Sequence, residues 1–302
     1  MPTSKREKGK IKGGYFWKIL WIDLDRDEVR PLEFDEAFAL KYIGGRGFGA
    51  KLLWDHLQKR TVDPLGPDNL LVISPGSLAG LYLPASGKTS FVSISPETGI
   101  YGDSSMGGSF GVELRQAGLD ALAISGKARS LSYLWIDNGE VKIIPNDKLK
   151  GKGSLESEGM IKEELKDEHI KVATIGVGGE SRVRFACVNS DWGRNAGRTG
   201  IGAVMGSKNL KAIAVRGSKD LPVFDLPRLK RTSETSFQSL RENKNFTFWQ
   251  EQGLMSVIDY VNEAGVMPTF NFKEGVFEHA KKVNGYETVS YTHLTLPTNR
   301  EV

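Results

Sequence analysis

Residues 194–208 read Arg-Asn-Ala-Gly-Arg-Thr-Gly-Ile-Gly-Ala-Val-Met-Gly-Ser-Lys, a glycine-rich loop that leads into a helix-like run. Glycine has no Cβ, so the backbone can approach a ligand closely at such a loop. The free N–H groups at the start of the following helix present a partial positive charge to an anion. Arg194 and Arg198 add two positive side chains. The segment therefore predicts a loop that binds phosphate groups.

A second glycine-rich segment has the same layout. Residues 103–115 read Asp-Ser-Ser-Met-Gly-Gly-Ser-Phe-Gly-Val-Glu-Leu-Arg and again lead into a short helix-like run. Two loops of this kind, one of them with two arginines, suit a cofactor that carries two sets of phosphates. We therefore predict that Ser105–Gly108 and Asn195–Gly197 meet in space and form one site.

The composition is that of a globular protein with a mild positive charge. Of the 302 residues, 35 are glycine, well above the usual share of about 7%, and much of the excess lies in the two loops. Hydrophobic residues make up 39%, which is enough for a core in one large domain or two ordinary ones. The net charge of +4 is too small to indicate nucleic-acid binding by itself.

The chain has one cysteine, Cys187. One cysteine cannot form an internal disulfide, nor can it build a zinc site or an iron–sulfur cluster from cysteines of this chain. The neighbours Phe185, Ala186 and Val188 are apolar, so we predict that Cys187 is a small buried core residue rather than a reactive thiol. The four histidines are scattered along the sequence and form no ligand pair.

The sequence indicates neither a membrane span nor a signal peptide. No apolar stretch reaches the ~18 residues of a spanning helix. The start at Met1–Lys12 is polar and basic, with no apolar run behind it. We therefore expect a cytoplasmic protein without a membrane partner, in which residues 1–14 are disordered.

The periodicity along the chain predicts an α+β fold, with a mixed β-sheet domain followed by the start of an α-helical domain. Strands are predicted at 16–24, 28–34, 69–74, 89–95, 121–124, 133–137, 141–144, 172–175, 183–189 and 212–216. Helices are predicted at 35–42 (with Asp35 as N-cap), 50–58, 157–167, 226–243 and 249–264. The change from strands to helices after Pro222 places a domain boundary near Gly217–Pro222.

Two nucleotide-binding motifs are incomplete. Gly87–Thr89 resembles the end of a P-loop, but Tyr82 stands where the loop needs its first glycine. A predicted strand also follows, where a P-loop needs a helix. Gly45–Ala50 fits the spacing of a dinucleotide-binding motif, but a predicted helix precedes it where that motif needs a strand. We therefore expect neither motif to bind a nucleotide in its usual way.

Five stretches carry a resemblance to a known family, and they are Tyr42–Gly49, Ser95–Gly99, Asp103–Gly111, Ala117–Ala121 and Ala196–Ala212. Together they resemble the N-terminal portion of the tungsten-containing aldehyde:ferredoxin oxidoreductase family. The last stretch is long and highly specific. The resemblance runs from Trp17 to Tyr286.

The resemblance implies the chemistry of that family, in which an aldehyde is oxidised to a carboxylic acid. Tungsten, or molybdenum, is held by two pterins, and electrons leave through a four-iron four-sulfur cluster to ferredoxin or another electron-transfer protein. The N-terminal domain would be the base on which the bis-pterin cofactor sits. Residues 15–217 would then form a tungstopterin-binding domain, and residues 218–288 the start of a helical second domain.

Seven residues match the cofactor-binding positions of that family: Lys88, Ser105, Gly107, Arg194, Asn195, Gly197 and Arg198. By this resemblance, Ser105 and Asn195 would offer backbone carbonyls to a magnesium ion that joins the two pterin phosphates. Hard oxygen ligands suit magnesium, and arginines suit phosphates. The family often has Arg where Lys88 stands, and Lys keeps the charge but loses the bidentate contact. It often has Asn where Ser105 stands, which matters less if only the carbonyl is used.

The resemblance also predicts what this chain lacks. The family's Cys-x-x-Cys-x-x-x-Cys motif for the cluster should begin soon after Tyr286, and it is not present. Residues 289–302 look like translated adapter sequence. We therefore expect a fragment of a longer protein with an artificial tail that packs against nothing. We expect no catalytic residue in this fragment and no activity from it alone.

Other functions are open at this point. Within the family, the parent could be the catalytic subunit of a benzoyl-CoA reductase-type tungsten enzyme, and the residues that distinguish it would line the substrate pocket in the missing half. From another class, the glycine-rich loops could serve a nucleotide-binding protein or a non-catalytic phosphate-binding module. The sequence does not name the aldehyde or the oligomeric state, and a homo-oligomer is left open.

Overall fold

A computed structural model describes residues 11–57 and 61–295. The chain divides into two compact units, Met1–Leu229 and Lys230–Val302. Twelve strands in two sheets lie in the described part of the first unit, and the described part of the second unit is mainly helical. The α+β fold class expected from the sequence is confirmed.

The first sheet has six strands in the order β2-β1-β6-β3-β4-β5. The strands are β1 (Lys18–Asp23), β2 (Glu28–Glu33), β3 (Leu71–Pro75), β4 (Thr89–Ile94), β5 (Tyr101–Met106) and β6 (Ala121–Ser125). β1 and β6 run parallel, and the other neighbours are antiparallel. β5 is therefore one edge of this sheet.

The second sheet has six strands in the order β11-β10-β9-β12-β7-β8. The strands are β7 (Ser132–Asp137), β8 (Glu140–Pro145), β9 (Lys171–Thr174), β10 (Val188–Ser190), β11 (Arg194–Ala196) and β12 (Leu210–Arg216). β12 and β7 run parallel, and the other neighbours are antiparallel. β11 is one edge of this sheet.

Six helices accompany the sheets in the described part of the first unit. They are α1 (Glu36–Tyr42), α2 (Arg46–His56), α3 (Phe110–Gln116), α4 (Ser154–Leu165), α5 (Val177–Glu180) and α6 (Ile201–Ser207). Asp35 caps α1 as expected, because its carboxylate accepts a hydrogen bond of 2.8 Å from the Phe38 amide. β4 begins at Thr89, so a strand follows the P-loop-like segment where a P-loop needs a helix. α1 precedes Gly45, so a helix stands where a dinucleotide-binding motif needs a strand.

The main hydrophobic core joins the two sheets. Phe91 and Leu122 of the first sheet and Leu134 and Ile213 of the second belong to one buried cluster, together with Leu114 of α3. A second cluster lies between the first sheet and α2, and a third lies between the second sheet and α4. These contacts fix the two sheet edges, β5 and β11, within one unit.

Two buried lysines, Lys208 before β12 and Lys211 within it, hold neighbouring loops against this strand. The Lys208 ammonium donates to the carbonyls of Pro67 (3.3 Å) and Gly126 (3.1 Å). The Lys211 ammonium donates to the Lys152 carbonyl at 2.8 Å and pairs with Glu180. Both lysines have 0% exposure. Their hydrogen bonds satisfy the charged groups, which would otherwise be costly to bury.

The second unit is built from short helices. They are the greater part of α7 (Leu226–Arg241), α8 (Lys244–Gln252), α9 (Ile258–Glu263) and α10 (Gly285–Thr295), with 3-10 turns at Gly253–Val257 and Ala280–Lys282. The helical segment expected at 249–264 is present in three pieces, the end of α8, the 3-10 turn and α9, because Gly253 has a positive φ of 55° and ends α8. The helix expected at 226–243 is present as α7.

Both ends of the described chain differ from expectation. Disorder was expected for residues 1–14, of which 1–10 lie outside the described residues. The Ile11 amide donates to Glu36 at 2.5 Å and the Gly14 amide to the Pro222 carbonyl at 2.7 Å, so residues 11–14 are held by the first unit. α10 runs to Thr295 and so includes the start of the tail expected from Val289. As an element α10 contacts α8 and the turn at Gly253–Val257, and the absence of packing by the tail itself stays a prediction. Residues 296–302 lie outside the description.

In the described ranges, every helix is too short or too polar to cross a membrane.

Candidate functional site

The two glycine-rich segments lie side by side at the adjoining edges of the two sheets. β5 contacts β11, and the Arg198 amide donates to the Ser104 hydroxyl at 3.2 Å. A Cβ placed on Gly102 would lie 2.9 Å from the Cβ of Thr199, so the backbones are close. The prediction that the loops meet in space is confirmed. We call the surface formed by residues 85–88, 105–109 and 191–198 the loop face.

Gly108 is the point of closest approach within the loop face. A Cβ on Gly108 would lie 2.4 Å from a carboxylate oxygen of Asp191 and 3.0 Å from the Cγ of Arg194. Its φ of +97° is also one that other residues rarely adopt. A Cβ on Gly87 would in turn lie 2.7 Å from the Gly108 carbonyl oxygen. The side chains of Asp191 and Arg194 therefore leave no room for a side chain at Gly108, whose backbone also lies close to Gly87.

The start of α3 is occupied by a side chain of the protein itself. The Asp191 carboxylate accepts hydrogen bonds from the Ser109 amide (2.6 Å) and the Ser109 hydroxyl (2.8 Å). The sequence predicted that the amides at this helix start would face a phosphate. That prediction needs correction, because a carboxylate already lies there and would repel a second anion.

The start of α6 is closed as well. All seven residues of α6 are buried, and the Gly202 amide donates to the Ala186 carbonyl at 2.9 Å. A Cβ on Gly200 would lie 1.9 Å from the Arg184 carbonyl oxygen, and a Cβ on Gly202 would lie 2.4 Å from the Cys187 carbonyl oxygen. The glycines at this helix start therefore serve close packing and not the approach of a ligand.

Two other glycines are open. Only the Lys88 ammonium comes within 4 Å of a Cβ built on Gly107, at 3.9 Å, and nothing does at Gly197. These are the two glycines among the seven residues predicted to bind a cofactor. The ligand-accessible glycines can thus be separated from the packing glycines by their surroundings in the structure.

The seven predicted residues all lie on the loop face or at its rim. Lys88 precedes β4, Ser105 is in β5 and Gly107 follows it, Arg194 and Asn195 are in β11, and Gly197 and Arg198 follow β11. All are exposed except Gly107, which is half-buried. In the described part of the chain, Lys88, Arg194 and Arg198 have no ion-pair partner. The loop face therefore presents three positive side chains that are available to an anion.

The Asn195 side chain is committed to the protein. Its amide nitrogen donates to the Gly193 carbonyl at 2.9 Å, and its oxygen accepts from the Asn189 amide group at 3.1 Å. These bonds hold the short β11 strand against β10. They leave the Asn195 backbone, and not its side chain, as the group that could offer an oxygen to a cation.

Cys187 is exposed, and the prediction of a buried core residue is wrong. The strand expected at 183–189 is reduced to β10, which begins at Val188. Residues 183–187 form a turn in which Phe185 is 70% exposed. The apolar side chains around Cys187 therefore do not form part of a core. The Cys187 thiol lies 3.6 Å from the Asn195 side-chain oxygen, at the border of the loop face.

Sequence reasoning missed two charged residues near the site. Asp191 closes the start of α3, as described above, and nothing in its sequence context distinguishes it from an ordinary loop aspartate. Arg46, at the start of α2, pairs with Asp103 of β5 at 3.1 Å. Asp103 and Ser105 alternate onto the same face of β5, so this ion pair borders the loop face.

The described residues contain no metal-binding cluster of side chains, and a polar groove lies away from the loop face. In residues 11–57 and 61–295, no three His, Cys, Asp or Glu side chains lie together so as to hold a metal ion. A polar groove of about 240 Å³ is lined by Trp21, Asp23, Arg26, Glu28, Arg30, His56 and Ser125. It has charges of both signs, includes none of the seven predicted residues and lies apart from the loop face.

Comparison with protein families assigns the chain. Residues 19–217 match the family model described as aldehyde ferredoxin oxidoreductase, N-terminal domain. Residues 231–298 match the model described as aldehyde ferredoxin oxidoreductase, domains 2 and 3.

Individual relatives agree with the family match. A tungsten-containing aldehyde ferredoxin oxidoreductase of Pyrococcus horikoshii is 39% identical over 273 residues, which are 90% of this chain and 45% of the relative. The protein of the same description from Pyrococcus abyssi is 40% identical over the same shares. The chain thus spans about half the length of the curated relatives it matches.

A solved structure shows the same fold. The active-site complex BamBC of benzoyl coenzyme A reductase with 1,5-dienoyl-CoA matches with a TM-score of 0.69 and 33% identity. The match covers 86% of this chain and 37% of that chain. Because the N-terminal family model alone matches more than half of its residues, the chain belongs to the aldehyde ferredoxin oxidoreductase family.

Proposed function

We propose that the loop face is one side of the binding site for a tungsten bis-pterin cofactor, in a protein that oxidises aldehydes to carboxylic acids. The observation that supports this most is the meeting of two glycine-rich loops at which Lys88, Arg194 and Arg198 are exposed and without ion-pair partners. The tungsten-containing relatives supply the class of cofactor.

The residues present fit the phosphates of such a cofactor. Arg194 and Arg198 offer planar guanidinium groups that bind phosphate oxygens in pairs, and Lys88 offers a point charge. Gly107 and Gly197 leave their surroundings open, so a ligand can reach the backbone there.

A magnesium ion between the phosphates would be held by oxygen atoms. Magnesium prefers hard oxygen ligands and keeps few protein ligands when phosphates are present. We propose that the backbone carbonyls of Ser105 and Asn195 supply them. The internal hydrogen bonds of the Asn195 side chain fit this assignment, because that side chain is already used.

The chain's own residues bind and orient the cofactor. When bound, the cofactor supplies the redox-active metal at which the aldehyde is oxidised. The cations of the loop face neutralise the phosphates, and the loop backbones fix where they lie. We place no proton-transfer group in this chain. The single cysteine cannot ligate a four-iron cluster, so the cluster and the transfer of electrons to ferredoxin or another electron-transfer protein belong to the proposed whole protein.

A second candidate has one specific observation in its favour. The structural match to a benzoyl-CoA reductase complex means that this part of the fold also serves a reaction of an aromatic thioester. The loop face would hold the cofactor in the same way in either enzyme. A nucleotide-binding function is less favoured, because both helix starts that would face a phosphate are closed.

The test uses the intact gene product, expressed anaerobically with tungstate. We expect pterin and tungsten in the purified protein and reduction of a viologen dye that depends on an added aldehyde. Reoxidation of reduced dye that depends on added benzoyl-CoA, with no reduction of dye by an aldehyde, would favour the second candidate. A protein without pterin and tungsten would contradict both.

A further inference from the structure

The carboxylate of Asp191 connects the two loops of the loop face. It bonds to the amide and the hydroxyl of Ser109, which precedes α3, while Asp191 itself lies in the turn between β10 and β11. The two residues are 82 positions apart in the sequence. The two bonds, at 2.6 and 2.8 Å, are the direct link between the first loop and this turn.

The geometry around this link is tight. Asp191 has a φ of +47°, a left-handed conformation that aspartate tolerates better than most residues. Gly108 is packed against the carboxylate with no room for a Cβ. A link of this kind fixes the distance between the loops and does not merely hold them near each other.

The Asp191 carboxylate pairs with Lys171 and not with an arginine of the loop face. In the described part of the chain, the cation within ion-pair distance of Asp191 is Lys171, at 3.9 Å. Arg194 is close to Gly108 through its Cγ but forms no ion pair with Asp191 there. The carboxylate is thus satisfied by Ser109 and leaves the two arginines free.

We propose that Asp191 is a positioning residue of the cofactor site. It takes the anion position at the start of α3 and so fixes Lys88, Ser105 and Gly107 relative to Arg194 and Arg198. The consequence for the cofactor rests on the proposed function, whereas the link itself does not.

The experiment compares two aspartates, each of which accepts a hydrogen bond from a backbone amide at the start of a helix. Asp191→Ala removes the link at α3, and Asp35→Ala removes the comparable bond to Phe38 at α1, away from the loop face. Two quantities are measured, the first on the 302-residue chain and the second on the intact gene product. The first is amide hydrogen exchange at Ser109 and Phe38. The second is the pterin bound per chain after expression in a host that makes the bis-pterin cofactor.

We expect Asp191→Ala to speed exchange at Ser109 about fivefold, the usual effect of losing a helix cap, and to lower bound pterin at least tenfold. Asp35→Ala should speed exchange at Phe38 to a similar degree and leave bound pterin unchanged. Asp191→Asn keeps an oxygen for the Ser109 amide, so it should restore most of the protection and most of the pterin. Asp191→Glu keeps the charge but lengthens the link, so it should recover exchange protection more than pterin.

The outcomes separate the two proposals. Unchanged exchange at Ser109 in Asp191→Ala would overturn the link. Faster exchange with unchanged pterin would overturn the positioning role and leave the proposed function standing. Equal loss of pterin in Asp35→Ala would show a general effect of stability and also overturn the role. An unsubstituted chain without pterin would overturn the proposed function and the positioning role with it, while the exchange data would still decide the link.

Discussion

Gly107 and Gly108 are adjacent in sequence, but the first is open to a ligand and the second is closely packed. Gly107 faces open space beside the Lys88 ammonium, whereas Gly108 has a φ of +97° and lies against Asp191. A sequence of glycines cannot show this difference, because both letters indicate the same freedom of the backbone. The difference depends on Asp191, which the chain brings in from the other sheet.

The two glycines should therefore respond differently to alanine. Gly108→Ala should lower the free energy of unfolding by about 1–3 kcal/mol, through the strained φ and the clash with the carboxylate. Gly107→Ala should leave it within about 0.5 kcal/mol. Urea unfolding of the 302-residue chain measures both. Equal losses would mean that the loops are not packed as described.

Lys208 gives the chain a pH dependence that its exposed lysines do not. Burial lowers the pKa of the Lys208 ammonium from 10.5 to about 8, partly offset by Asp25 and Asp68. Between these values the unfolded chain binds more protons than the folded chain, so the free energy of unfolding should rise with pH. The rise should begin near pH 8.

Urea unfolding between pH 7 and pH 9.5 checks this sign. The upper limit avoids the tyrosines, several of which have pKa values raised by burial. Lys208→Met keeps a long apolar side chain and should flatten the slope. Stability that falls across this window in the unsubstituted chain would contradict the assignment.

At the scale of elements, β5 and β11 decide where the site lies, and neither is indicated by the sequence. Residues 101–106 read Tyr-Gly-Asp-Ser-Ser-Met and residues 194–196 read Arg-Asn-Ala. Most of these residues have low strand propensity. They form edge strands here, in which β5 pairs with β4 and β11 pairs with β10. The strands β1, β3, β4, β6, β7, β9 and β12 follow from their apolar residues, because these side chains enter a core. β2 and β8 contain no buried residue and pair with β1 and β7 as hairpins.

The contact between the two edge strands can be tested with neighbouring serines. Ser104 is buried and accepts from the Arg198 amide, whereas Ser105 is exposed on the other face of β5. Ser104→Ala should lower the free energy of unfolding by about 1 kcal/mol. Ser105→Ala should change neither stability nor bound pterin, because only its backbone carbonyl is assigned a role.

Thermal or urea unfolding measures the stability of both serine variants, and a pterin determination on the same samples measures their bound cofactor. Loss of pterin in Ser105→Ala at unchanged stability would show that the hydroxyl, and not the carbonyl, serves the cofactor. An unaffected Ser104→Ala would show that this hydrogen bond does not hold the sheet edges together.

At the scale of the whole molecule, the sequence predicted the fold class and the meeting of the loops, and it placed the seven site residues on one surface. It failed where the outcome depends on contacts between distant segments. Cys187 has apolar neighbours yet is exposed, because its segment turns before β10 begins. The amide and hydroxyl of Ser109, directly before α3, are bonded to a carboxylate from 82 residues away. Residues 289–295 lie in α10, a helix that was not predicted there because the segment resembles adapter sequence.

The central claim is that the cations of the loop face hold the pterin phosphates, and the amount of pterin bound per chain tests it most directly. The intact gene product is expressed in a host that makes the bis-pterin cofactor and compared with its Arg198→Ala and Arg26→Ala variants. Arg26 is also an exposed arginine, but it lies in the turn between β1 and β2, away from the loop face. We expect Arg198→Ala to lower bound pterin at least tenfold, since a hydrogen-bonded charged contact is worth about 1.5–3 kcal/mol, and Arg26→Ala to leave it unchanged. Equal pterin in all three chains would contradict the account.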